Sequence, residues 1–233
     1  MGNEKKPLGQ RALEQRSYTF EVRAENDADR GHIITGRPVV YNSRTDIGLF
    51  DEIIEAGALD RTDLTDVRFM VNHDTSKIPL ARSRRNNGNS TMLLTVDSEG
   101  LAIRVDLDTE NNLDARALYS AVERGDIDGM SFAMSVRGDK WDDLESEHPT
   151  RRITDIGSIV EVSAVNFPAY AATTIDARSK EALESARSKF ALESAKTAEC
   201  NTLESVEKQK DAEKRSLDLE KAKTHILATI KIK

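Results

Sequence analysis

Glycine and proline run out partway along this chain. All 12 glycines lie at or before Gly157 and all five prolines at or before Pro168. Residues 179–233 contain neither, and Phe190 is their one aromatic residue. Tight turns between strands draw on Gly and Pro, whereas Ala, Glu, Lys and Leu favour uninterrupted helix. The hydrophobic fraction of 38% is also below the usual share for a fully globular chain. The sequence therefore divides into a flexible arm over 1–16, a turn-rich globular domain over 17–178 and a charged helical tail over 179–233.

Charge follows the same break. The tail carries twelve Lys/Arg and ten Asp/Glu, so the remainder holds −9 against −7 for the whole chain. An acidic domain is a poor general nucleic-acid binder, because phosphate contacts need a basic face. It suits a partner with basic segments better. A single cysteine, Cys200, excludes an internal disulfide framework, and four scattered histidines lack metal-ligand spacing. No metal or cofactor is expected, and no P-loop, dinucleotide fingerprint or EF-hand loop is present. No apolar run reaches the roughly 20 residues of a membrane span. The N-terminus lacks the apolar stretch of a secretory signal, and Lys6 stands where a myristoylation signal wants Ser or Thr. The expectation is a soluble protein of a reducing cytoplasm.

Period-two alternation dominates residues 17–166. SYTFEVR places Tyr18, Phe20 and Val22 on one face, and HIITGRPVVYN is interrupted by Gly36 and Pro38, which predicts a bulge or an edge. DEIIEAGALDRT holds a turn or short helix around Ala56–Leu59. VRFMVNH reads as a strand with Val67, Phe69, Val71 and His73 on one face. TMLLTVDSEGLAIRVDL reads as a hairpin closed at Ser98-Glu99-Gly100. NNLDARALYSAVERGD predicts a helix with Leu113, Ala117, Leu118, Ala121 and Val122 on its apolar face. Asn111 or Asn112 would cap it and Gly125 would end it. GMSFAMSVRG and SIVEVSAVNF are two more strands, separated by a charged loop containing Trp141 and His148. Many strands with few helices predict a barrel or sandwich. In the tail, the spacing of Leu183, Ala186 and Phe190 lapses at Glu193 and Lys210, so a solvated or partner-dependent helix fits better than a sustained coiled coil.

Three residues on these strands offer a nucleophile, a base and a carboxylate. Glu161 sits in SIVEVSAVNF among apolar neighbours on both faces, where an ionised carboxylate needs a partner; the bland alternative is an edge glutamate facing water. His73 ends its strand before the polar turn NHDTSK, and imidazole can take and return a proton near neutrality. Its bland alternative is a histidine hydrogen-bonded at a strand end. Ser131 follows the turn Asp126–Gly129, with small Ala133 beside it. Strand serines are usually inert, and Ser135 and Ser163 are rivals that spacing does not separate. No G-x-S-x-G elbow is present, which argues against an α/β-hydrolase. His148 reads as a surface residue.

Four collinear blocks resemble the prohead protease family of tailed bacteriophages: GRPVVYNSRTDIGLFDEIIEAGALDRT, DVRFMVNHD, ALYSAVERGDIDGMSFAM and RRITDIGSIVEVSAVNFPAYAATTIDAR. The likeness runs from about Ser17 to Arg178 and is strongest in GMSF and EVS…FPAY. It implies an α+β fold related to the herpesvirus assembly proteases, a mainly antiparallel β-barrel surrounded by helices. It also implies a serine endopeptidase, with His73 as base, Ser131 as nucleophile and Glu161 as third member, where the herpesvirus relatives use a second histidine. By looser analogy, the loop near Ala169 and Tyr170 would supply oxyanion donors. SKIPLARSRR departs from the family's Leu-Gly-Arg run after the histidine, which bears on substrate contacts. The implied role is head maturation inside the procapsid in the host cytoplasm. The substrates would be the major capsid protein and scaffold segments, with self-association and self-cleavage, and no nucleic-acid or membrane partner. The alternative is a non-enzymatic scaffolding protein on the same barrel; a generic esterase shares the chemistry but not the motifs.

Overall fold

A computed structural model describes residues 13–18, 22–28, 31–166 and 179–197. The chain divides into two compact units, Met1–Leu183 and Glu184–Lys233. The described part of the first holds eleven strands, one α-helix, a 3-10 helix at Arg84–Asn86 and the start of a second α-helix from 179: β1 Glu14–Tyr18, β2 Val22–Asp27, β3 Gly31–Val40, β4 Arg44–Asp46, β5 Asp51–Ile54, β6 Arg68–Val71, β7 Ala81–Arg82, β8 Met92–Val96, β9 Gly100–Asp106, α1 Leu113–Glu123, β10 Gly129–Asp142 and β11 Thr150–Val165. Residues 179–197 are helical; the rest of the tail lies outside the described residues.

Among the described residues the strands form two sheets and no closed barrel, so the barrel implied by the family resemblance is not what forms. One runs β1-β10-β11-β5-β4, with β6 on β11 and β7 on β6; the other runs β2-β3-β9-β8. Pairing is mostly antiparallel, but β11 takes two parallel partners along one edge, β5 at Thr150–Ile153 and β6 at Glu161–Ala164. Period-two patterning reports which face a side chain takes, not which strand lies alongside, so this order was not readable from it. One apolar core joins the sheets, with Ile34, Val39, Met92 and Leu101 from the smaller and Phe69, Met130, Phe132, Met134 and Val162 from the larger. Each such buried side chain stabilises the fold by roughly 1.5–3 kcal/mol.

Several local expectations hold. β8 and β9 form the hairpin, and Gly100 is required at its close: φ is +142° and a Cβ would meet the Val39 carbonyl oxygen at 2.1 Å. β3 carries a bulge between Gly36 and Val39. Asn112 caps α1, its side chain accepting from the amides of Asp114 and Ala115, and Gly125 follows the helix at φ +75°.

Others are corrected. Residues 14–16 belong to β1 instead of the arm, and Tyr18 and Val22 lie on strands of different sheets instead of sharing one. α1 buries Ala115, Leu118, Tyr119 and Val122, while Leu113 is 75% exposed. Tyr119 displaced the expected Leu113 face because its ring packs on His32, at a centroid distance of 4.4 Å. β10 and β11 run longer than expected, so Trp141 is on a strand and only residues 143–149 remain as loop. Among the described residues no helix is long and apolar enough to cross a membrane.

Candidate active site

β10 and β11 place Ser131 directly opposite Ser163, and Glu161 lies two residues before Ser163 on the same face. β6 arrives on the other edge of β11, with Val71 beside Ala164. The strand ends there, two residues earlier than the sequence pattern suggested. Asn72 and His73 then take left-handed backbone conformations, with φ of +52° and +56°. Such angles are uncommon outside glycine and persist where surrounding contacts fix them. Those contacts are present: the Asn72 amide donates to the Ala164 carbonyl, 2.9 Å, and its side-chain oxygen accepts from the Asn166 amide, 3.1 Å. The His73 amide donates to Ser163 Oγ, 3.1 Å. This reversal carries the imidazole back over β11.

A continuous chain of contacts results. His73 Nε2 lies 2.5 Å from Ser131 Oγ, and His73 Nδ1 meets Glu161 Oε1. The other Glu161 oxygen accepts from Ser163 Oγ at 2.8 Å. Glu161 is 5% exposed and Ser131 0%, so the edge glutamate facing water is excluded. Both carboxylate oxygens have partners, as a buried charge requires. With its proton on Nδ1, held by Glu161, the imidazole presents a bare Nε2 to the Ser131 hydroxyl. That is the tautomer a general base needs.

A second acceptor reaches the same hydroxyl: Ser131 Oγ lies 2.8 Å from the Arg16 carbonyl oxygen on β1. One proton cannot serve both partners, so with neutral His73 the hydroxyl chooses between imidazole and carbonyl. Doubly protonated His73 satisfies all three groups, donating to Oγ while Oγ donates to Arg16.

Of the rival serines, Ser163 braces the glutamate and Ser135 meets Ser158 Oγ at 2.9 Å. The bracing role of Ser163 had no signal beyond its place two residues after Glu161. Ala169 and Tyr170 lie outside the described residues. His148 sits 3.3 Å from Asp51 and, with Asp46, forms a partly exposed group whose possible ligand atoms lie within 4.8 Å of each other. Beyond His73 an apolar groove of about 280 Å³ opens between residues 70–80 and α1, lined by Ile78, Leu80, Leu118 and Ala121 among others.

The sequence model of the caudovirus prohead serine protease family matches residues 18–187. The chain belongs to that family. No curated protein matches it. Among solved structures, the bacteriophage T4 capsid assembly protease, gp21, is 12% identical, covering 65% of this chain and 98% of that one at a TM-score of 0.34.

Proposed function

We propose that this prohead protease is a serine endopeptidase in which Ser131, His73 and Glu161 form the catalytic triad. The observation that supports this most is the unbroken Ser131–His73–Glu161 relay in a chain of a peptidase family. Ser131 Oγ attacks the peptide carbonyl while His73 Nε2 takes its proton. Glu161 holds the tautomer and stabilises the imidazolium. His73 then returns the proton to the leaving amine, and water resolves the acyl-enzyme by the same route. Backbone amides near Ala169 and Tyr170 are the proposed oxyanion donors.

The substrates proposed are the major capsid protein and scaffold segments, cut inside the procapsid in the host cytoplasm, with self-association and self-cleavage alongside. Neither nucleic acid nor membrane is a proposed partner. The protease domain would be 17–178, with strand β1 reaching three residues before it and 179–233 a scaffold-docking or self-cleaved tail. Kinship with the herpesvirus assembly proteases belongs to the same reading. The non-enzymatic scaffolding alternative has less support, because an inert protein has no use for an imidazole set between a hydroxyl and a carboxylate.

Co-expression with the capsid protein tests the reading. Wild type should shorten the capsid subunit, and Ser131→Ala should fold normally yet lose cleavage by about 10⁴-fold or more. Capsid cleavage undiminished in Ser131→Ala would refute the nucleophile assignment.

A further inference from the structure

β1 lies on Ser131 in the manner of a bound peptide. It pairs antiparallel with the strand that carries the serine, with Ser17 opposite Ser131, and the Arg16 carbonyl oxygen meets Oγ at 2.8 Å. The peptide bond beside the hydroxyl is therefore Arg16–Ser17. The oxygen, not the carbonyl carbon, faces Oγ, so the strand is held at the nucleophile in an unreacted arrangement. The serine beneath it is 0% exposed.

The side chains on the amino-terminal side of that bond are received by charge. Arg16 is 2% exposed and its guanidinium forks onto both oxygens of buried Glu52, with Nη2 to Oε2 at 2.8 Å. Two residues earlier, Glu14 points the same way and accepts from Arg151 Nη1 at 2.6 Å. Arg151 is fixed independently of β1: its Nε donates to Asp139 at 2.8 Å, and its guanidinium carbon lies 5.8 Å from the centre of the Trp141 ring. Without β1, Glu52, Asp139 and Arg151 would leave one net negative charge for an incoming cation, with Arg151 offset toward an acid two residues upstream.

The sequence repeats this pattern. Of five Arg-Ser dipeptides, three have an acid two residues before the arginine: Glu14-Gln15-Arg16-Ser17, Asp176-Ala177-Arg178-Ser179 and Glu213-Lys214-Arg215-Ser216. The first two bracket the protease domain, and the third lies in the tail. Arg82–Ser83 and Arg187–Ser188 have Leu80 and Ser185 at that position instead.

We infer that β1 is an internal substrate strand, and that the site cuts after arginine in acid-x-Arg-Ser segments, with Glu52 reading the arginine and Arg151 the upstream acid. This rests on the proposed triad. In the step itself, Ser131 Oγ bonds to the Arg16 carbonyl carbon. The bond to the Ser17 nitrogen breaks, and His73 delivers the proton to the new Ser17 amine. Water then releases Arg16 as a free carboxylate. Cleavage frees residues 1–16 to leave and opens the groove to the same segment of another chain. Cuts after Arg178 and Arg215 would remove the tail in two steps.

The test is incubation of the full-length chain, followed by intact mass and terminal sequencing, alongside a panel of peptides. Wild type should yield new N-termini at Ser17, Ser179 and Ser216, with Arg82–Ser83 and Arg187–Ser188 intact, and Ser131→Ala should yield none. Arg16→Leu should abolish the cut before Ser17. A Glu-Gln-Arg-Ser peptide should exceed its Glu-Gln-Leu-Ser counterpart by about a hundredfold or more in kcat/KM, because a buried carboxylate left unpaired penalises the wrong side chain. Glu52→Gln should reduce that ratio at least tenfold. Ser131-dependent capsid cleavage without arginine preference, or at other bonds, would overturn this inference and leave the proposed function standing. Cleavage by Ser131→Ala equal to wild type, or no cleavage of any substrate, would overturn both.

Discussion

Two buried polar clusters lie along β10 and β11, and they handle charge in opposite ways. Around Arg151, two guanidinium groups face Glu14, Glu52 and Asp139, and each cation touches at least two carboxylates. Guanidinium does not give up its proton, so that network can hold a strand but cannot move a proton. Around Ser131, one carboxylate, one imidazole and two hydroxyls share few protons, and the Ser131 proton has two competing acceptors. The lesson is that burial alone does not mark reactivity. What separates the clusters is whether a proton has two places to go.

The contrast breaks first at Glu161. Glu161→Gln keeps the shape but removes the charge that fixes the His73 tautomer, so kcat should fall by about 10³–10⁴-fold with the fold intact. A loss under tenfold in peptide hydrolysis would mean His73 works without it. On the holding side, Arg151→Met strips a partner from Glu14 and Glu52 together. Unfolding in urea should report a loss of about 3 kcal/mol, and a change below about 1 kcal/mol would show that the network carries little stability.

Smaller effects sharpen the contrast. Ser163→Ala removes one hydrogen bond to Glu161 and one from the His73 amide, which should lower kcat about tenfold, equivalent to 1–2 kcal/mol. The smallest concerns pH. Burial raises the Glu14 carboxyl, but the charge of Arg16 and the hydrogen bond and charge of Arg151 outweigh it and hold it below its ordinary value. A depressed carboxylate stabilises fully above its unfolded pKa and less as pH falls through the folded one. Hydrogen exchange should therefore show β1 amides losing protection as pH drops from 7 to about 4 and below, ahead of β10 and β11. Equal retention in all three strands would deny that charge docks β1.

The cluster around Ser131 was the more legible in sequence. A glutamate between apolar neighbours in SIVEVSAVNF asks for a partner, and His73 stands at a strand end, but residue pattern did not separate Ser131 from Ser135 and Ser163; the family resemblance in GMSF singled it out. The turn that aims His73 was not legible, because alternation extends VRFMVNH straight through two left-handed residues. β1 was missed for a different reason. Glu14, Gln15 and Arg16 show no apolar alternation, and their anchors Glu52 and Arg151 lie far off in sequence, so the segment reads as a polar arm. The strand order was hidden too, since nothing in β11 announces two parallel partners on one edge.

Site-mapped labelling with a fluorophosphonate tests the central claim most directly, using full-length enzyme that is cleaving capsid protein. The label should reside on Ser131, and labelling and cleavage should both be lost in His73→Ala. Label on Ser135 or Ser163, or cleavage that persists with Ser131 replaced by alanine, would contradict the triad.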